Sequence, residues 1–228
     1  MLPRQAASVG LRAALPLMAA AFPFGLVYGV AVSQSPIDPW LGFAASFVIL
    51  AGAAQLSLLD LMFDATWAVA VGTALVINLR FVLYSAALSP FFAEFPTRWR
   101  FGLPYLMTDQ AATISMIEFD RVEDPRWRRW FYLGGGFSFA SAWWVGSAVG
   151  IAFGGTIPDS WQIQFAFPLM FIALLVPTLR SRPALVAALV GAAVTVAGMD
   201  LPNGLNICLG GVAGVAAGSL TPTGEEPT

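Results

Sequence analysis

Asn78 and Arg80 stand two residues apart in LVINLRFVLY (75–84), inside a run that is otherwise apolar from Trp67 to Leu88. A guanidinium near the centre of a membrane-crossing helix costs about 2.5–3.5 kcal/mol on insertion scales, so an arginine there implies a partner or a task. Escape to the interface along its own side chain does not reach, because the nearer end of the run is roughly 13 Å away at about 1.5 Å per residue. Asp109, in MTDQ (107–110), lies roughly 12 Å below the start of the next apolar segment and matches that depth. A short loop joins the two segments. The expectation is that Arg80 and Asp109 face each other inside the bundle, paired directly or bridged by a ligand carrying both charges. Arg80 is suited to a two-pronged contact with a carboxylate. Asp109 is suited to an ammonium group, or to carrying a coupling proton.

Other polar and aromatic groups converge on the same interior. LAGAAQ (50–55) sets Gly52 and three alanines before Gln55. Small residues let backbones approach closely, and the amide then lies at membrane depth. Gln55 and Asn78 are candidates for neutral hydrogen bonds to a ligand. FPFGLVYG (22–29) places Pro23, Gly25 and Gly29 in the first apolar run, where a broken helix would expose backbone groups. An ordinary proline kink with glycine packing is the simpler account of that stretch. Phe22, Phe24 and Tyr28 are candidate walls for an aliphatic side chain.

The remaining chemistry is mostly excluded. All eleven cations are arginine and histidine is absent, which rules out His-based zinc or haem sites and any Ser–His–Asp nucleophile. No metal or cofactor is expected, and no GxxxxGK[ST] phosphate loop is present. The single Cys208 cannot form an internal disulfide and reads as a packing residue. Asp60 and Glu118 read as interfacial; Asp38, Asp64, Asp159 and Asp200 fall in turns. Trp143 and Trp144 read as packing groups, and the Arg126–Arg129 cluster beside Trp127 and Trp130 as a headgroup anchor. An intramembrane aspartyl protease would have to use Asp60 and Asp109, whose expected depths differ by half a membrane.

These groups must be positioned by membrane helices. The chain has 228 residues, is 58 % hydrophobic and 11 % charged, and has a mean hydropathy of +0.75. It reads as an all-α polytopic integral membrane protein, since roughly 20 mostly apolar residues cross the hydrocarbon core. The apolar segments are 13–32, 40–62, 67–89, 101–119, 130–152, 163–179, 183–199 and 204–220, about eight spans. The first is too long and too rich in proline and glycine for a signal core. Residues 1–220 read as a single transmembrane domain and 221–228 as a disordered tail. No convincing internal repeat emerges.

Arginine placement orients the chain. With the N-terminus cytoplasmic, eight spans put Arg4, Arg12, Arg121, Arg126, Arg128, Arg129, Arg180 and Arg182 inside and Arg98 and Arg100 outside. A re-entrant segment 101–119 is the alternative; it would bring Arg98 and Arg100 to the side of the Arg121–Arg129 cluster.

The elements FPFGLVYG (22–29), LAGAAQ (50–55), NLRFVLYS (78–85), MTDQ (107–110) and FAFPLMFIALL (165–175) occur in an order that resembles AzlC-type branched-chain amino acid permeases. These form the large subunit of a two-component exporter. The resemblance implies efflux of leucine, isoleucine, valine and analogues across the cytoplasmic (inner) membrane. It also implies a small hydrophobic AzlD-like membrane subunit as partner. Where an acidic residue precedes the FAFP-like stretch in the family, this chain has Gln164. Transport driven by the proton gradient follows most simply, with no nucleic acid and no enzymatic step. A non-transporting scaffold or assembly subunit and a passive channel are the other readings; Arg80→Lys would separate a scaffold, which loses assembly, from a transporter, which loses flux.

Overall fold

The computed structural model describes residues 3–156, 172, 179, 181–201 and 205–222, and these form helices and turns with no strand among them. Segment 163–179, apart from residues 172 and 179, lies outside the described residues, as do Gln164 within it, Arg180, Asp159 and residues 223–228. The helices are α1 (Pro3–Gln34), α2 (Pro39–Val48), α3 (Gly52–Asp64), α4 (Trp67–Asn78), α5 (Arg80–Ala93), α6 (Thr97–Gly102), α7 (Asp109–Phe119), α8 (Pro125–Gly154), α9 (Arg182–Ala197) and α10 (Leu205–Leu220). A 3₁₀ turn, Leu103–Leu106, joins α6 toward α7. Two stretches, Trp67–Ala93 and Pro125–Gly154, are long and apolar enough to cross a membrane, and Pro3–Ala19 with Ala21–Gln34 makes a third as a bent pair. Residues 1–55 with 78–161 form one compact unit, and 56–77 with 162–228 form another.

In the first unit α1 and α8 run parallel and in contact through most of their lengths. The cause is a run of small residues. A Cβ on Gly134 would strike the carbonyl of Ala7, and one on Gly10 the carbonyl of Phe131. At the other end Gly29 meets the Ser147 carbonyl and Gly150 the Leu26 carbonyl. Backbone lies on backbone, the small-residue packing that membrane helices use. The stretch 22–29 therefore does not interrupt α1. The helix stays continuous but bends by 52° near residue 20, where Pro23 withholds its donor from the turn before it.

The apolar segment 40–62 is two helices. Asp38 starts α2 by accepting from the amides of Trp40 and Leu41 at 2.9 and 3.2 Å, with Pro39 at the first helical position. The helix ends at Val48, residues 49–51 are non-helical, and α3 begins at Gly52.

Segment 101–119 does not run from one end of the first unit to the other. The Trp99 ring stacks edge-on to Trp130 at 5.0 Å, the Arg129 guanidinium lies 5.3 Å from the Trp99 ring, and Arg128 pairs with Glu94 at 2.9 Å. The return arm, α7, runs parallel to α5: Arg80 meets Asp109 at one end, and the Phe91 ring meets Phe119 at the other. Residues 97–119 thus enter and leave at the same end, as a re-entrant element. This corrects the placement of Arg98 and Arg100: they share an end with Arg4, Arg121, Arg126, Arg128 and Arg129. Hydropathy records the length of an apolar segment and not its direction, so a hairpin and a span look alike.

The second unit contains the α9–α10 pair. Gly191 on α9 faces Gly210 and Gly214 on α10, and the Asn206 amide donates to the Thr195 carbonyl at 3.2 Å. Ser181 caps α9 through the Ala184 amide at 3.3 Å.

Candidate functional site

Broken helices define the centre of the first unit. Where α2 stops, its last carbonyls have no partner within the helix. Side chains from three other elements supply them. The Trp144 indole donates to the Ser46 carbonyl at 3.0 Å and the Tyr105 hydroxyl to the Phe47 carbonyl at 2.6 Å. Gln55 is buried, and its hydrogen bonding orients the amide with nitrogen donating to the Ile49 carbonyl at 2.9 Å. Its oxygen then accepts from the Tyr28 hydroxyl at 2.9 Å and from the Ser46 amide at 3.0 Å. Tyr28 also lies 2.9 Å from the Gly42 carbonyl and stacks on Trp143. Gln55 and Tyr28 thus hold the break open.

The second break belongs to the re-entrant element. Met107 and Thr108 are extended, and the Thr108 hydroxyl caps α7 by accepting from the Ala111 amide at 3.2 Å. Asp109 is the first residue of α7, where the helix dipole favours a negative charge. Its Oδ2 lies 3.0 Å from Nη1 of Arg80, the first residue of α5. Each side chain of the pair is about one-third exposed, at 31 % and 32 %. The pair is incompletely satisfied: Arg80 Nε and Asp109 Oδ1 are buried without hydrogen-bond partners, as is Asn78 Oδ1. Tyr84 stands close enough to feel both charges.

Between the breaks lies a cleft of about 440 Å³. One wall is the α2–α3 break, residues 48–51; the other is Pro104, Tyr105 and Met107 of the re-entrant element. Asn78, Phe81 and Ser85 complete it. The Arg80 guanidinium lies 5.3 Å from the ring of Phe81, so the ion pair sits behind the cleft. The structure therefore brings Arg80, Asp109 and Asn78 together. Phe22, Phe24 and Tyr28 do not line the cleft; the Phe24 ring instead packs on Trp143 at 5.5 Å. Phe81, Pro104 and Met107 supply the apolar surface expected of them. Ser85 and Tyr105 are cleft residues that sequence reasoning missed. Ser85 ends the NLRFVLYS stretch, and one helical turn separates it from Phe81, which would have placed both on one face.

Arg128 departs from the headgroup-anchor reading. Its side chain is 9 % exposed and points inward. It donates to the carbonyls of Val122 and Phe119 at 2.7 and 2.8 Å and lies over the Phe91 ring at 4.8 Å. That ties the C-terminal ends of α5 and α7 to the start of α8.

An all-α arrangement with broken helices around a cleft of mixed polar and apolar lining and a half-buried ion pair defines a class of membrane protein rather than a soluble enzyme fold. The comparisons with known proteins agree. The profile of the AzlC protein family matches residues 16–157, and the chain belongs to that family. It is 30 % identical over 193 residues to an uncharacterized membrane protein of Archaeoglobus fulgidus, a similarity covering 82 % of each chain. No solved structure matches.

Proposed function

We propose that this protein is a multi-pass secondary transporter that exports branched-chain amino acids, leucine, isoleucine, valine and their analogues, across the cytoplasmic membrane. The observation that carries the reading is the cleft itself: lined by both apolar and polar groups, bounded by two helix breaks, and backed by one guanidinium and one carboxylate. Substrate pockets of transporters lie at such breaks, where non-helical backbone is tolerated because it lines a cavity. Phe81, Pro104 and Met107 would receive the aliphatic side chain, with Asn78 giving neutral hydrogen bonds. Arg80 and Asp109 neutralise each other as an ion pair; a zwitterion can part them, its carboxylate turning to Arg80 and its ammonium to Asp109. Asp109 Oδ1, which has no partner, is the oxygen that would carry a coupling proton. The concentration of arginine at one end of the first unit makes that end cytoplasmic. A small AzlD-like membrane subunit completes the exporter.

The test uses cells lacking their own exporters, loaded with a leucine-containing dipeptide, and measures leucine appearing outside. Cells carry the chain alone, the chain with its small partner, or the pair with Arg80→Ala at matched membrane levels. Efflux from the pair that is lost in the variant supports the reading. No efflux from a well-expressed pair sinks it.

A further inference from the structure

The 3₁₀ turn Leu103–Leu106 presents its residues unequally. Leu103 and Leu106 are buried in the core, whereas Tyr105 between them is 47 % exposed. Leu106 rests on Gly136 of α8, where no side chain intervenes. The turn is thus anchored through two leucines while the Tyr105 ring projects from it. That ring reaches the opposite wall of the cleft, where its hydroxyl donates to the Phe47 carbonyl at 2.6 Å. Phe47 immediately precedes the wall residues Val48–Ala51, so the bond bridges the two walls.

We propose that Tyr105 is a gating residue: its side chain bars the cleft between the two helix breaks, and ligand passes when the hydroxyl releases the Phe47 carbonyl. The inference rests on the cleft being the transport site. Three features fit a side-chain bar better than a fixed structural bond. The ring turns on two side-chain torsions while its backbone stays anchored. Its acceptor is the end of a helix, a carbonyl that water or a polar ligand group can take in place of the hydroxyl. The bond is one hydrogen bond, and a typical net contribution corresponds to a shift of only about 2- to 13-fold in the open–closed equilibrium. Such a bar opens spontaneously and closes by default. Asn78 lines the same cleft, so the bar controls the space next to it.

The experiment uses the full chain in lipid nanodiscs with Cys208→Ala as background and a single reporter, Ala51→Cys, on the buried cleft wall. The rate of maleimide labelling is compared with Tyr105 intact and with Tyr105→Phe, which keeps the ring and removes the donor. A second reporter, Ser115→Cys, sits on α7 in the buried interior. The bar predicts roughly 3- to 10-fold faster labelling at position 51 in Tyr105→Phe, with position 115 unreactive in both. An unchanged rate at position 51 overturns it. Faster labelling at both positions also overturns it, because Tyr105 would then hold packing and not a gate. Adding leucine addresses the transport reading separately: protection of position 51 supports an occupied cleft, and its absence leaves the gating result intact.

Discussion

Replacing Arg128 by alanine should destabilise the protein by about 3.5–6.5 kcal/mol, more than most surface arginines. The figure follows from what the guanidinium satisfies. The Phe119 carbonyl ends α7 within the buried core and the Val122 carbonyl is on the adjoining turn. Each loses a bond to a charged donor, about 1.5–3 kcal/mol, with Val122 at the lower end because it is half-buried. The Glu94 contact adds little, about 0–1 kcal/mol, since that carboxylate is 47 % exposed. The Phe91 ring beneath the guanidinium contributes about 0.5–1 kcal/mol. Arg128→Lys should recover only part, about 1–2 kcal/mol, because one ammonium cannot span three acceptors that a planar fork reaches together. Reversible unfolding in lipid–detergent micelles, followed by tryptophan fluorescence, measures both. A loss under about 1 kcal/mol in the alanine variant, or a lysine variant equal to wild type, would refute the account of the re-entrant base.

Four further outcomes are expected. Arg80→Gln or Asp109→Asn alone should lower thermal stability more than the two together, since each single change strands a half-buried charge; a double-mutant cycle with a coupling under about 0.5 kcal/mol would contradict a direct pair. Gln55→Leu should cost about 1–3 kcal/mol by removing one donor from the Ile49 carbonyl and one of the two acceptors beside the Tyr28 hydroxyl, read by the same unfolding assay. Gly29→Leu should abolish folded protein in the membrane, because no rotamer avoids the Ser147 carbonyl; expression with an unshifted size-exclusion profile would count against the α1–α8 packing. Asp38→Ala should cost about 0.5–2 kcal/mol through the lost cap of α2, and Asp38→Asn should restore most of it.

How much of this was legible in the sequence differs from element to element. Arg80 and Asp109 announced themselves because charge in an apolar run is costly, and matched depth was enough to relate them. Depth alone does not tell which face a segment enters from: the re-entrant element brings Asp109 to Arg80 from the arginine-rich end and not from the opposite one. The helix start at Asp109 had a local signal, a Thr108 cap followed by an acidic first turn. The break at Ile49–Ala51 had none, because three apolar residues look the same in a helix and out of it. It exists because Trp144 and Tyr105, distant in sequence, and Gln55 donate to the carbonyls that the break releases. The walls of the cleft were misassigned for a related reason. Tyr28 carries a hydroxyl at membrane depth whether it faces a ligand or, as here, holds another backbone segment in place. Arg128 was hidden in a cluster of three arginines, and only its tertiary partners separate it from the other two.

The contact of α1 with α8 also sets an order of events during synthesis. Ala7 waits for Gly134, roughly 130 residues later, which at about 5–20 residues per second is on the order of ten seconds. During that interval α1 sits in the bilayer with its glycine face unoccupied, and everything between the two helices emerges first. The pieces with broken backbone therefore arrive before the long pair closes beside them. A glycine replaced in that face would do its damage late, after most of the chain had been inserted, and the product would be a full-length protein for quality-control proteases to remove.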